Sequence, residues 1–132
     1  MENATLNNGV QIPQLGYGVF QMSSKEVEEH LPEAIGVGFR HIDTANAYYN
    51  EVAVGDVAKK SGIDREDFFI TTKLWPQDYG KNKAMSAIDA SLRRLDMDYV
   101  DLLLLHQLYG AYTEAWNVME QAMKEGKVRA IG

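Results

Sequence analysis

The chain has 132 residues, 45% of them hydrophobic and 24% charged, with a formal net charge of −6. This is ordinary composition for one globular domain, which at such a length buries roughly two-thirds of its unfolded surface. Scattered acidic groups without a basic stripe argue against a nucleic-acid partner, and none is expected; the lack of cysteine excludes disulfides and thiolate metal sites.

The N-terminal stretch MENATLNNGVQIP lacks the charged-then-apolar pattern of a signal peptide. The longest pure apolar run, Leu102 to Leu105, is far too short to cross a bilayer. A cytoplasmic location without membrane contact is therefore expected. Thr5 to Pro13 reads as a small hairpin, with Asn8-Gly9 as a type I′ turn. Gln14 to Phe20 follows as a short strand. Ser23-Ser24-Lys25-Glu26 forms a capping box for a helix that carries Val27, Leu31, Ala34 and Ile35 on one face. Pro32 lies inside it, where proline costs about 3 kcal/mol or kinks the axis. Gly36 and Gly38 end the helix.

From there strands and helices alternate. Arg40–Asp43, Phe68–Trp75, Tyr99–His106 and Val128–Ile131 read as strands. Asn50–Lys60, Lys81–Leu95 and Thr113–Lys124 read as helices. The inward stripes are Val54, Val57 and Ala58, then Ala84, Ile88, Leu92 and Leu95, then Trp116, Met119 and Met123. Equivalent strand positions Ile42, Ile70, Leu103 and Ala130 recur at about the length of a βαβ unit, roughly 30 residues. Such alternation gives parallel pairing. FFITTKLW and VDLLLLH are apolar on both faces, as in a sheet covered on both sides. An open doubly wound sheet and a (β/α) barrel both satisfy this pattern.

In either architecture, sites form at the carboxyl ends of the strands. Asp43 ends the second strand, Lys73 lies near the end of the third, and His106 ends the fourth. Tyr48 and Tyr49 lie on the loop just beyond Asp43. Each residue alone has a structural explanation: a turn acceptor, an edge lysine, a core histidine, a packed ring. Together they are harder to dismiss, because buried ionisable groups are rare unless paired. A phenol is a poor acid at neutral pH, and an ammonium within about 4–6 Å favours its ionised form. An aspartate would keep that ammonium charged, and an imidazole could bind the oxygen being protonated. The set suits proton delivery to a carbonyl oxygen but supplies no reductant, so a hydride-donating cofactor is implied.

These residues sit in motifs that identify a family. LGYGVF, GFRHIDTANAYYNE, FFITTKLW, LDMDYVDLLLLHQ and KEGKVRAIG run in order from about Thr5 to Gly132. In them the chain resembles the N-terminal half of an aldo-keto reductase, nearest to bacterial diketogluconate or methylglyoxal reductases. The resemblance implies one incomplete (β/α) TIM-type barrel domain over residues 1–132: a hairpin plug, four β/α units and a fifth strand. It implies NADPH-dependent reduction of aldehydes and ketones, with a small carbonyl substrate and no metal. By position, Asp43 matches the catalytic aspartate and Tyr48 the proton donor. Lys73 matches the lysine that activates that tyrosine, and His106 the residue that orients the carbonyl. Gly18, Val19 and Phe20 fall where the first loop meets the cofactor, as does Asp43. Tyr49, Trp75 and His106 fall at the substrate pocket.

There are departures from the family pattern. Val19-Phe20 stands where Thr-Trp or Thr-Tyr is usual, and the proline two residues after His106 is absent. Such barrels need roughly 250 residues, and the Ser-Asn pair and phosphate-gripping segments of the family lie past this point. The expectation is weak or no turnover by these residues alone, and either self-association or pairing with a missing C-terminal half. The alternative is a non-catalytic remnant or interaction module that uses the half-barrel surface.

Overall fold

The computed structural model describes residues 1–132. Strands β1 (Asn3–Thr5) and β2 (Gln11–Pro13) form an antiparallel hairpin. Its turn is not type I′. Among its residues only Gly9 has positive φ, at 87°, whereas a type I′ turn needs positive φ at both central positions. Gly9 N–H closes a turn onto the Leu6 carbonyl at 2.9 Å, and Leu6 N–H donates to Val10 at 2.9 Å. The Asn8 amide is engaged elsewhere: its Nδ2 donates 2.9 Å to the Arg129 carbonyl, across 121 residues of chain.

Five parallel strands follow: β3 (Gly16–Gly18), β4 (His41–Asp43), β5 (Phe69–Leu74), β6 (Val100–Leu105) and β7 (Val128–Ile131). They pair strictly in chain order, β3-β4-β5-β6-β7. A doubly wound sheet reverses its order at a switch point and carries helices on both faces. Neither occurs here. Helices α1 (Ser24–Gly36), α2 (Glu51–Lys60), α3 (Ala84–Leu95) and α4 (Tyr112–Lys124) pack each against the next in a single layer. This is the arrangement of a (β/α) barrel in its N-terminal half. No helix is long and apolar enough to cross a membrane.

The main apolar cluster, 25 buried residues, fills the space between that helical layer and the sheet, through Ile42, Ile70, Leu74 and Leu103 on the strands. The opposite face is concave and only partly covered: Leu102 and Leu104 are half-buried there. Coverage of both faces by helices, suggested by the apolar strands, is thus not how the residues are used. One face of each strand turns toward a barrel interior instead. The hairpin crosses the N-terminal ends of the strands. Pro13 lies 3.3 Å from His41 Nδ1 and the Asn8 amide reaches β7, so it touches both sides of the half-barrel.

Local chemistry explains most boundaries. Ser23 and Glu26 form the expected capping box, with Ser23 N–H donating to the Glu26 carboxylate at 2.7 Å and Glu26 N–H donating to Ser23 Oγ at 3.2 Å. Helix α1 runs through Pro32 without a break. Pro32 and Glu28, whose carbonyl loses its partner, both lie on the exposed face, where water can satisfy that oxygen. Lys81–Lys83 form a turn onto Gly80 rather than a first helical turn, so α3 starts at Ala84. In α4 the buried stripe is Ala115, Met119 and Ala122, not Trp116 and Met123. The small residues let the helix approach the sheet, and the indole lies at the margin, with Nε1 donating to Glu120 at 3.2 Å. Between α2 and α3 the approach is tighter still: a Cβ on Gly55 would lie on the Leu95 backbone. Only glycine fits there.

Candidate active site

Parallel strands release their last side chains at one rim, and the register sets which ones meet. Gly18 pairs with Asp43, Asp43 with Thr71, and Lys73 with Leu104. Asp43 and Lys73 therefore stand on the concave face of adjacent strands. The Lys73 ammonium is 2.5 Å from Asp43 Oδ1, 2.9 Å from the Thr44 carbonyl and 3.3 Å from the Tyr48 hydroxyl. Its charge is balanced by one carboxylate, and its remaining protons face a carbonyl and a phenol. Buried cations persist only with such partners.

Tyr48 comes from a short 3₁₀ turn, Asn46–Tyr48, beyond β4. Its ring is held on three sides: Phe20 at 5.1 Å, His106 at 5.6 Å and the Lys73 ammonium at 4.8 Å from the centroid. The ring of Trp75 meets His106 edge-on at 5.1 Å. Burial, aided by the nearby Lys73 charge and opposed by Asp43, holds His106 below the ordinary histidine range, so the imidazole is neutral at neutral pH. Its Nδ1 is buried without a partner. A proton there would be an unpaired buried donor costing about 1–3 kcal/mol, while an unfilled acceptor is better tolerated. A proton on Nε2 avoids that cost.

A cavity of about 470 Å³ opens above this group, lined by Phe20, Tyr48, Tyr49, Trp75, Gln77, Asp78 and His106 among others. A second depression, of about 340 Å³ between α2 and α3, lies at the other end of the strands and touches none of these residues. The expected convergence of Asp43, Tyr48, Lys73 and His106 is present, and Trp75 lines the same cavity. Tyr49 is 89% exposed, in the left-handed region at φ 56°, so it stands at the rim. Gly18 is exposed next to Asp43 in the register, and Phe20 is exposed against the Tyr48 ring. Val19 is fully buried. Its N–H donates to Asp43 and its carbonyl accepts from Asn50 at 2.9 Å, so it offers a ligand no surface.

The sequence pattern of the Aldo/keto reductase family matches residues 13–132. The chain belongs to that family. This aldo/keto reductase chain is 47% identical to morphine 6-dehydrogenase of Pseudomonas putida, across 96% of its own length and 44% of that protein. It is 45% identical to the methylglyoxal reductase of Escherichia coli K12, across 96% of its length and 46% of that one. It superposes on the Bombyx mori aldo-keto reductase in complex with NADP with a TM-score of 0.92 at 33% identity, covering 99% of this chain and 49% of that chain. The chain thus spans about half the length of the relatives it matches.

Two supports of the aldo/keto reductase site are not apparent from residue type. Asn50 is buried and fully bonded. It accepts from Thr44 Oγ1 at 2.7 Å and donates to the Val19 and Met22 carbonyls at 2.9 and 3.0 Å. It ties the loop after β3 to the loop after β4 and so fixes the turn that carries Tyr48. Glu51, also buried, accepts from Thr72 Oγ1 at 2.6 Å and from Arg94 Nε at 2.7 Å, which locks the start of α2 to β5 beside Lys73. The Asn50-Glu51 pair at a helix start was the one available signal. It reads equally well as a cap.

Proposed function

We propose that this chain carries the proton-transfer half of an NADPH-dependent carbonyl reductase site. The observation that carries the reading is the Lys73 ammonium, in hydrogen-bond reach of both the Asp43 carboxylate and the Tyr48 hydroxyl, at 2.5 and 3.3 Å. The Tyr48 hydroxyl gives its proton to the carbonyl oxygen. Lys73 stabilises the phenolate left behind, and Asp43 holds Lys73 in place and balances its charge. His106 Nε2–H donates to the same oxygen and fixes the carbonyl in the cavity. These donors act where charge develops, under partial exclusion of water. When bound, NADPH supplies the hydride that reaches the carbonyl carbon.

The residues present fit the nicotinamide end of that cofactor. At Gly18, next to Asp43 in the register, a Cβ would meet no heavy atom within 4 Å, leaving an open shelf beside the acid. Phe20 offers an exposed ring adjoining Tyr48. No lysine or arginine lines the cavity, so these residues do not account for a grip on the 2′-phosphate. Replacing Lys73 by methionine in a chain of the relatives' full length tests the assignment. Turnover of a small aldehyde should fall about 10²- to 10³-fold, the cost of removing one charge-stabilising donor. Unchanged turnover rejects the role.

The open strand edges support a second part of the reading. β3 and β7 each pair on one side only, and Leu102 and Leu104 are incompletely covered. Unpaired edges and apolar faces recruit partners. We infer that further strands complete the barrel, from a longer chain or from a second copy. Sedimentation of the 132-residue chain should show self-association, and a monodisperse monomer contradicts it.

A further inference from the structure

Tyr79 is fully buried and is the largest of the fully enclosed side chains. It does not line the cavity, so the chemistry proposed above has no direct use for it. Its phenol nonetheless ends against the peptide next to His106. The hydroxyl donates to the Gln107 carbonyl at 2.8 Å and accepts from the Gln107 N–H at 3.1 Å. A hydroxyl can do both at once, whereas no hydrocarbon ring can do either. Gln107 through Gly110 make no backbone–backbone hydrogen bond of their own, and Leu108 and Tyr109 are exposed. The phenol is thus the anchor for the segment that leaves β6.

We infer that Tyr79 is a positioning residue for His106, holding the following peptide so that the imidazole stays wedged between Trp75 and Tyr48. The turn that begins with Trp75 and ends with Tyr79 grips His106 twice. Trp75 meets the ring edge-on at 5.1 Å, and Tyr79 pins the peptide. The only other backbone restraint is His106 N–H to the Leu74 carbonyl at 3.1 Å. Burial pushes the Tyr79 phenol above its ordinary range, so it stays protonated and keeps its donor at neutral pH. The inference rests on His106 being a site residue, but its test needs no turnover.

The chain as it stands has three histidines, so each ring can be followed by NMR titration. Burial depresses His41 as it does His106, and His41 sits at the opposite end of the strands against Pro13 and Thr71. It is an internal control. In Tyr79→Phe, His106 should titrate at higher pH than in the parent, His41 should not move, and the Gln107 amide should exchange roughly tenfold faster. Lys73, Asp43 and Asp78, the charged groups facing the imidazole or lining its cavity, are untouched by the change, so the shift reports a ring that has gained water. An unmoved His106, or equal movement of His41, overturns the role. Should the variant unfold, the parent chain decides. Amide protection at Gln107 with none at Leu108 or Tyr109 supports the anchor, and no protection at Gln107 overturns it.

Discussion

Tyr48→Phe should lower the rate of NADPH-dependent aldehyde reduction by about 10²- to 10⁴-fold, the usual contribution of a positioned general acid. The substitution is conservative in packing. Phenylalanine keeps the ring contacts with Phe20 and His106 at 5.1 and 5.6 Å and the approach of Lys73 to the ring. Only the hydroxyl 3.3 Å from the ammonium is removed. The loss should therefore appear in kcat, because the proton is delivered as charge develops and not in the bound ground state. KM should change little. His106 still donates to the oxygen, which leaves residual activity above background. The measurement is cofactor consumption with a small aldehyde in a chain of the relatives' full length, beside circular dichroism to show an intact fold. A variant with parental kcat would show that another group protonates the product.

The second large effect is on stability, at the opposite end of the strands. Asp101 is fully buried and holds four elements together. Its Oδ2 accepts from Arg65 at 2.7 Å and from the Ile70 N–H at 2.8 Å, while Oδ1 accepts from Arg129 at 2.7 Å. Arg65 also donates to the Phe68 and Tyr99 carbonyls at 3.0 Å and lies over the Tyr99 ring. Asp101→Ala strands a buried amide and sets two guanidinium groups facing each other. Breaking a buried ion pair from one side costs about 3–5 kcal/mol. Both guanidinium groups retain some water, at 24% and 47% side-chain exposure, which places the expected loss near the lower figure, about 3 kcal/mol. Against a total of about 5–15 kcal/mol for a domain, a urea midpoint should fall visibly. A midpoint within error of the parent would mean that the cluster is replaceable by water. The surface pair of Lys59 and Asp96, both largely exposed, should by contrast be nearly silent on removal.

Much of the architecture was legible because it is local. The Ser23–Glu26 capping box, the apolar stripe of α1 and the recurrence of strand positions need only periodicity and cap chemistry. Asn8-Gly9 suits two local turns, and the structure has the longer one: the turn closes from Gly9 N–H to the Leu6 carbonyl with Gly9 alone in the left-handed region, so the loop is one residue longer than a type I′ turn allows. The stripe of α4 was misassigned by one position. Trp116 is the more hydrophobic candidate by size, but the closeness of helix to sheet selected Ala115 and Ala122. Pro32 looked disruptive and is not, since exposure supplies water to the orphaned carbonyl. Among the residues proposed for the site, Asp43, Tyr48, Lys73 and His106 stand out because ionisable groups at or just past strand ends are unusual. Asn50, Tyr79 and Asp101 do not, because a buried amide, phenol or carboxylate looks like any other until its partners are seen.

What the sequence determined by itself is the order of alternating strands and helices, the parallel pairing they require and the chemical types gathered at the strand ends, since each follows from residue spacing along the chain. Residue spacing left a barrel and a doubly wound sheet equally open, and the motifs GFRHIDTANAYYNE and FFITTKLW favoured the barrel; the tertiary structure shows it, in strands that pair in unbroken order with the helices in one layer. The tertiary structure alone decided that one lysine nitrogen serves Asp43, Thr44 and Tyr48 together. Both depend on strand register and on the closeness of groups 25 to 30 residues apart, and distances of that kind exist only once the sheet has formed.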